Sequence, residues 1–156
     1  MTSVLKRARS ARGAELIEFA LVLPVLLLIV LGIVDFGFMF QRMEVVTNAA
    51  REGARLAVLP GYAITDVRAR VCDYLQSGGV PLTGTCPLPT NPSISVVMNF
   101  PIGLPGGGTI DGKRVIVTYT HNYLFIGPIA SLFGGSFSSV PVRGVAVMRD
   151  EAGASP

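Results

Sequence analysis

The sequence predicts an α+β fold. A long N-terminal helix, transmembrane in its first part and amphipathic in its second, packs on a small antiparallel sheet beside a second short helix. Three observations predict it. Residues 19 to 34 carry no charge, residues 41 to 59 are rich in helix formers and free of proline, and apolar residues alternate in the C-terminal third. The 156 residues amount to one domain's worth of chain. About 120 of them follow the apolar run, enough to bury a small core.

Charge and composition narrow the function. Half the residues are hydrophobic and 15% are charged, a balance too apolar for an ordinary soluble domain, and the apolar excess is concentrated in one run. The basic surplus is equally localised. Lys6, Arg7, Arg9 and Arg12 precede the run with no acid among them, and beyond Gly13 nine Lys/Arg face ten Asp/Glu. A basic leader is a topological signal, and no basic patch with interleaved aromatics follows it, which argues against a nucleic-acid partner.

The elements follow in order. Residues 1–13 form a basic leader, expected to be disordered and cytoplasmic by the positive-inside rule. From Phe19 to Phe40 only Asp35 is charged, so about 22 residues at about 1.5 Å each reach roughly 33 Å, enough for a hydrocarbon core of about 30 Å. The run exceeds a signal-peptide core, and bulky Asp35-Phe-Gly-Phe-Met-Phe40 follows it in place of a small-residue cleavage site. Residues 14–40 are therefore predicted to remain as a transmembrane helix. Pro24 is tolerated there, and Gly32 and Gly37 lack the spacing of a helix-dimer motif.

The helix is predicted to continue past the membrane to about Leu59, roughly 65 Å in all from residue 15. Val46, Ala50, Gly53, Ala54 and Ala57 make a stripe of small residues at helical spacing, suited to close packing on a domain. Pro60-Gly61 ends it. A second helix is expected from an N-cap at Thr65-Asp66, with Val67, Val71 and Tyr74 or Leu75 on one face, ending at Gly78-Gly79. The proline- and glycine-rich stretch 78–92 is loop. Strands are expected at Ser93–Asn99, Lys113–Phe125 and Pro141–Arg149, with a hairpin loop at residues 103–108 and a short apolar helical turn within 126–139. Residues 41–149 thus form one α+β domain, and 150–156 a flexible tail.

Catalytic chemistry finds little support. Gly107 to Lys113 matches the first seven positions of a phosphate-binding loop, but Arg114 stands where Ser or Thr must bind Mg²⁺ and a strand follows where a helix is needed. His121 is the sole histidine and has no Cys or Ser partner, so it reads as a structural or surface strand residue. No paired carboxylates can be argued. The expectation is a protein that is not an enzyme and that uses no metal, cofactor or small-molecule substrate. With the N-terminus inside, Cys72 and Cys86 fall in an oxidising compartment, where a Cys72–Cys86 disulfide is expected.

One stretch remains. Gly13-Ala14-Glu15-Leu16-Ile17-Glu18-Phe19, after a basic leader and before an apolar helix, resembles the type IV pilin-like signal cut by a prepilin peptidase. With the later Asp35-Phe-Gly and Thr47-Asn-Ala-Ala-Arg-Glu-Gly-Ala-Arg55 segments, residues 12 to 57 resemble the TadE-like pseudopilins of tight-adherence (Flp) pilus systems. The resemblance implies cleavage between Gly13 and Ala14 on the cytoplasmic face, and an inner-membrane protein with a periplasmic domain. Its implied partners are a prepilin peptidase, other pilins and pseudopilins, the pilus assembly platform and membrane lipid. It also implies that Glu18, costly at the membrane edge, pairs in assembly with the new amino group of a neighbouring subunit's Ala14, with Phe19 beside it. Glu15 is given no role. The competing expectation is a membrane-anchored periplasmic envelope-structural or binding module outside any pilus; a tethered hydrolase ranks last for want of a nucleophile–base pair.

Overall fold

In the computed structural model, residues 2–132, 134–135 and 138–150 are described, with side chains from Gly13 onward except Leu132. The expected tail therefore lies, beyond Asp150, outside the described residues. The order is α1 (Thr2–Ala57), α2 (Ile64–Ser77), β1 (Ser93–Gly103), β2 (Thr109–Asn122), α3 (Ile126–Leu132) and β3 (Ser139–Arg149). The α+β class is as the sequence predicts. The three strands form one antiparallel sheet in the order β1-β2-β3.

α1 is one helix of 56 residues. It begins at Thr2, so the leader is helical where disorder was expected: between Thr2 and Arg12 the chain offers Leu, Lys, Arg and Ala, all good helix formers, and no breaker. Its far end behaves as the small-residue stripe requires. Val46, Ala49, Ala50, Ala54 and Ala57 are buried against Val67, Val71 and Leu75 of α2 and Val115, Val117, Val142 and Ala146 of the sheet. The stripe allows backbones to approach closely. A Cβ on Gly144 would meet the Val46 carbonyl oxygen at 2.6 Å and Thr47 Cα at 2.9 Å, so β3 touches the α1 backbone directly. A Cβ on Gly53 would meet Val71 Cγ2 at 2.5 Å.

Boundaries of α2, β1, β2 and β3 differ from expectation, β3 by starting at Ser139 in place of Pro141. α2 starts at Ile64, because Asp66 reaches back to accept a hydrogen bond from the Ala63 N–H at 2.8 Å; Asp66 is a first-turn residue and the cap lies upstream. β1 runs on to Gly103 through an irregularity between Val97 and Phe100, and Pro101 is accommodated because β1 is an edge strand. β2 starts earlier, at Thr109, and stops at Asn122, because residues 123–126 turn away to meet α1. The loop 78–92 is pinned to the sheet by Asn91, whose Oδ1 accepts from the Thr120 N–H at 2.9 Å.

The Gly107–Lys113 stretch belongs to the β1–β2 hairpin. Its Gly112 has a packing role, since a Cβ there would meet Ile102 Cδ1 at 2.5 Å.

Candidate anchoring and assembly site

Two halves of α1 have opposite surroundings. The second half is the spine of the domain core. The first half touches almost nothing: Leu16, Ile17, Phe19, Leu21, Val25, Leu27 and Ile33 are each at least half exposed, and no residue of its most apolar stretch is buried. Burying such a surface is favourable at roughly 25 cal/mol per Å², and the bare half of α1 finds no such cover among the described residues. The helix is long and apolar enough to cross a membrane.

The residues singled out from the sequence lie at the start of this bare half. Nothing lies within 4 Å of where a Cβ on Gly13 would stand, and Ala14, Glu15 and Glu18 are exposed. Phe19 is 60% exposed. The fold does not bring Gly13, Ala14, Glu18 or Phe19 to one another beyond their helical spacing, and among the described residues Glu18 has no hydrogen-bond or ion-pair partner. Cys72 and Cys86 are joined as a disulfide, which ties α2 to the 78–92 loop, and Cys72 is fully buried.

A residue that sequence reading left without a role proves central. Asp35 is 1% exposed, on a helix whose neighbouring turns are bare. Its Oδ1 accepts a hydrogen bond from the Leu124 N–H at 3.0 Å, and its Oδ2 accepts from Phe125 at 2.8 Å and Ile126 at 2.7 Å. The first N–H groups of a helix have no partner within it, so a carboxylate from α1 serves as the cap that α3 lacks in its own sequence. Aromatic contacts flank the contact. Phe36 meets Tyr123 edge-to-face at 6.1 Å, and the Tyr123 hydroxyl donates to Met39 Sδ at 3.4 Å. The signal was present in the sequence: a lone acid inside an apolar span carries a cost that demands a partner.

His121 stands on the same side of β2, above this junction. It is 6% exposed and packs against Tyr123 at 5.4 Å, so it is a buried strand residue. Burial pushes its imidazole below the ordinary value, the Arg42 charge adds to that, and Asp35 opposes it. Two hollows lie beside the junction. One, of about 410 Å³, separates α1 at Leu28, Gly32 and Phe36 from Phe125, Ile129 and Ala130. The other, of about 370 Å³, is lined by Asp35, Arg42, Tyr119 and His121 among others. Among the described residues no three His, Cys, Asp or Glu side chains gather as a metal site would need.

Fold and site together define a class: a small α+β domain built on the distal half of one long helix, whose proximal half is a bare apolar rod. Residues 13–55 match the family model of the TadE-like proteins, so this N-terminal segment is similar to theirs. No curated protein and no solved structure matches the chain.

Proposed function

We propose that the chain is a pseudopilin, a minor pilin-like component that a tight-adherence (Flp) pilus system needs for assembly. In this reading α1 crosses the inner membrane once, with residues 1–13 on the cytoplasmic side. Residues 41–149 form the periplasmic domain. A prepilin peptidase cuts between Gly13 and Ala14. The chain serves as a substrate and a building unit and performs no catalysis, so its partners are the peptidase, other pilins and the assembly platform.

The observation that carries this reading is the family match over residues 13–55, which begins at the glycine where cleavage is proposed. The bare rod after the Gly13–Ala14 bond and the disulfide, a bond favoured outside the cytoplasm, support it. Cutting at Gly13 leaves an ammonium on Ala14, and Glu18 of an adjacent rod is a carboxylate in need of one. Removing one partner of a buried ion pair costs about 3–5 kcal/mol, so Glu18→Ala is expected to abolish or severely reduce pilus assembly with the domain still folded. Mass spectrometry of the protein co-expressed with its peptidase is expected to show a mature chain starting at Ala14. An intact leader would refute the processing, and normal piliation in Glu18→Ala would refute the role of the carboxylate.

A further inference from the structure

We propose that the turn from Leu124 to Ser131 is a second membrane contact, lying in the outer leaflet beside α1, and that the groove between them holds a lipid acyl chain. The proposal rests on α1 being the membrane anchor, with its N-terminus on the inner side.

Depth is the first argument. If the hydrocarbon begins at Phe19, Asp35 stands about 24 Å along the helix, inside a core of about 30 Å. The groove wall on α1 starts at Leu28, seven residues before Asp35 and about 10 Å deeper, and reaches Phe36. The turn therefore runs down along the span toward the bilayer centre, away from the domain core. Its composition suits that place. From Leu124 to Ala130 every side chain is apolar or absent, and Leu124 is 64% exposed.

Polar accounting is the second. Backbone groups in hydrocarbon must be satisfied within the protein, because no water reaches them and each orphan costs several kcal/mol. The three N–H groups that open the turn, those of Leu124, Phe125 and Ile126, are all taken by Asp35. Pro128, in the first turn of α3, brings no N–H to satisfy. The Ser131 hydroxyl donates to the Pro128 carbonyl at 2.7 Å. Capping of this kind also occurs in water, but in hydrocarbon both the acid and the opening N–H groups depend on it. Asp35 and the turn each remove the other's obstacle to entering lipid. The groove is continuous with the bare face of α1 and lies at its depth, so the lipid that covers α1 is the occupant that the fold presents to it.

The chain has no tryptophan, so single substitutions give an unambiguous fluorescence probe. The full chain is reconstituted in phosphatidylcholine–phosphatidylglycerol vesicles whose acyl chains are brominated, a contact quencher confined to hydrocarbon. Leu28→Trp reports the span, Leu124→Trp the turn, and Val147→Trp the sheet far from the membrane. Blue-shifted emission and strong quenching are expected for Leu28→Trp and Leu124→Trp, and neither for Val147→Trp. Adding Asp35→Ala to Leu124→Trp is expected to reduce its quenching and leave that of Leu28→Trp unchanged. If Leu28→Trp is quenched and Leu124→Trp behaves like Val147→Trp, the turn is outside lipid and the inference falls while the anchor stands. If Leu28→Trp itself is unquenched, the anchor falls and the inference with it. If quenching of Ile129→Trp, a probe in the groove wall, disappears as the protein-to-lipid ratio rises, a second copy takes the groove and the acyl chain is the wrong occupant.

Discussion

Asp35→Ala is the most informative single change in this protein. The substitution removes a carboxylate that accepts three backbone hydrogen bonds at 2.7 to 3.0 Å within a site 1% exposed. Each buried N–H left without a partner costs about 1–3 kcal/mol, so three rigidly held groups set a ceiling of roughly 9 kcal/mol. The turn relaxes well before that limit, because its peptide groups can detach from α1 and reach water or lipid headgroups. Removing the buried charge also returns part of its desolvation cost. The net effect is therefore about 3 kcal/mol, expressed as local detachment of residues 124–126 and not as global unfolding, since the core around Val46, Val71 and Val117 does not include Asp35. Asp35→Asn retains one acceptor oxygen and falls between the two.

Amide hydrogen exchange in detergent micelles measures this directly. A local destabilisation of about 3 kcal/mol raises the opening population about a hundredfold. Exchange at Leu124, Phe125 and Ile126 is expected to accelerate by about that factor, while Val115 and Val117 in the centre of β2 keep their wild-type rates. Two outcomes would refute the reasoning. Unchanged exchange at 124–126 would mean that Asp35 contributes nothing net to the junction. Equal acceleration throughout β2 would mean that the carboxylate holds up the whole domain.

Three further changes probe other parts of the fold. Gly144→Ala places a methyl against the α1 backbone, which cannot rotate aside, and overpacking of this kind costs about 1–3 kcal/mol; a urea midpoint indistinguishable from wild type would contradict the close approach. Cys72→Ser opens a loop of 14 residues and is expected to cost about 3 kcal/mol, with the wild-type chain unreactive to a thiol reagent until reduced. His121 has its folded value below the ordinary 6.5, so the unfolded chain binds the proton more readily. Stability from this source is complete above pH 6.5 and is lost as the pH falls below it, so His121→Phe is expected to flatten that part of the stability–pH profile.

The parts of the fold legible in the sequence are those set by local periodicity. The charge-free run, the stripe of small residues from Val46 to Ala57 and the alternation of β2 each need only neighbours along the chain to be recognised, and each is where the pattern placed it. The misplaced end of β2 is set by a contact across the fold. β2 ends at Asn122 because Asp35, nearly ninety residues earlier, takes the next N–H groups, and no local pattern announces that. β3 shows a subtler limit. Alternation separates Val145 and Val147 from Gly144 and Ala146, and size alone would turn the valines inward. The structure does the reverse, with Val145 46% exposed, because only glycine lets the strand lie on the α1 backbone.

The same physical rule separates the two acids that α1 presents to its apolar half. A carboxylate near hydrocarbon must find donors or a counter-charge. Asp35 finds three N–H groups within its own chain, and its role is complete in the monomer. Glu18 finds no partner among the described residues, and the nearest part of the folded domain, α3, meets α1 only from about Leu28 onward, ten residues or about 15 Å further along the rod. No rearrangement of the domain brings a donor back to it while α1 stays a helix. Among the described residues nothing satisfies Glu18, which leaves solvent at the membrane surface or an ammonium, whether a neighbour's or the one that cleavage would create on its own Ala14. Solvent and a neighbour's ammonium differ in one measurable respect. A solvated Glu18 tolerates Gln with no loss of assembly, whereas a Glu18 paired with a neighbour's ammonium loses its counter-charge in Glu18→Gln, and assembly is expected to fall nearly as far as in Glu18→Ala.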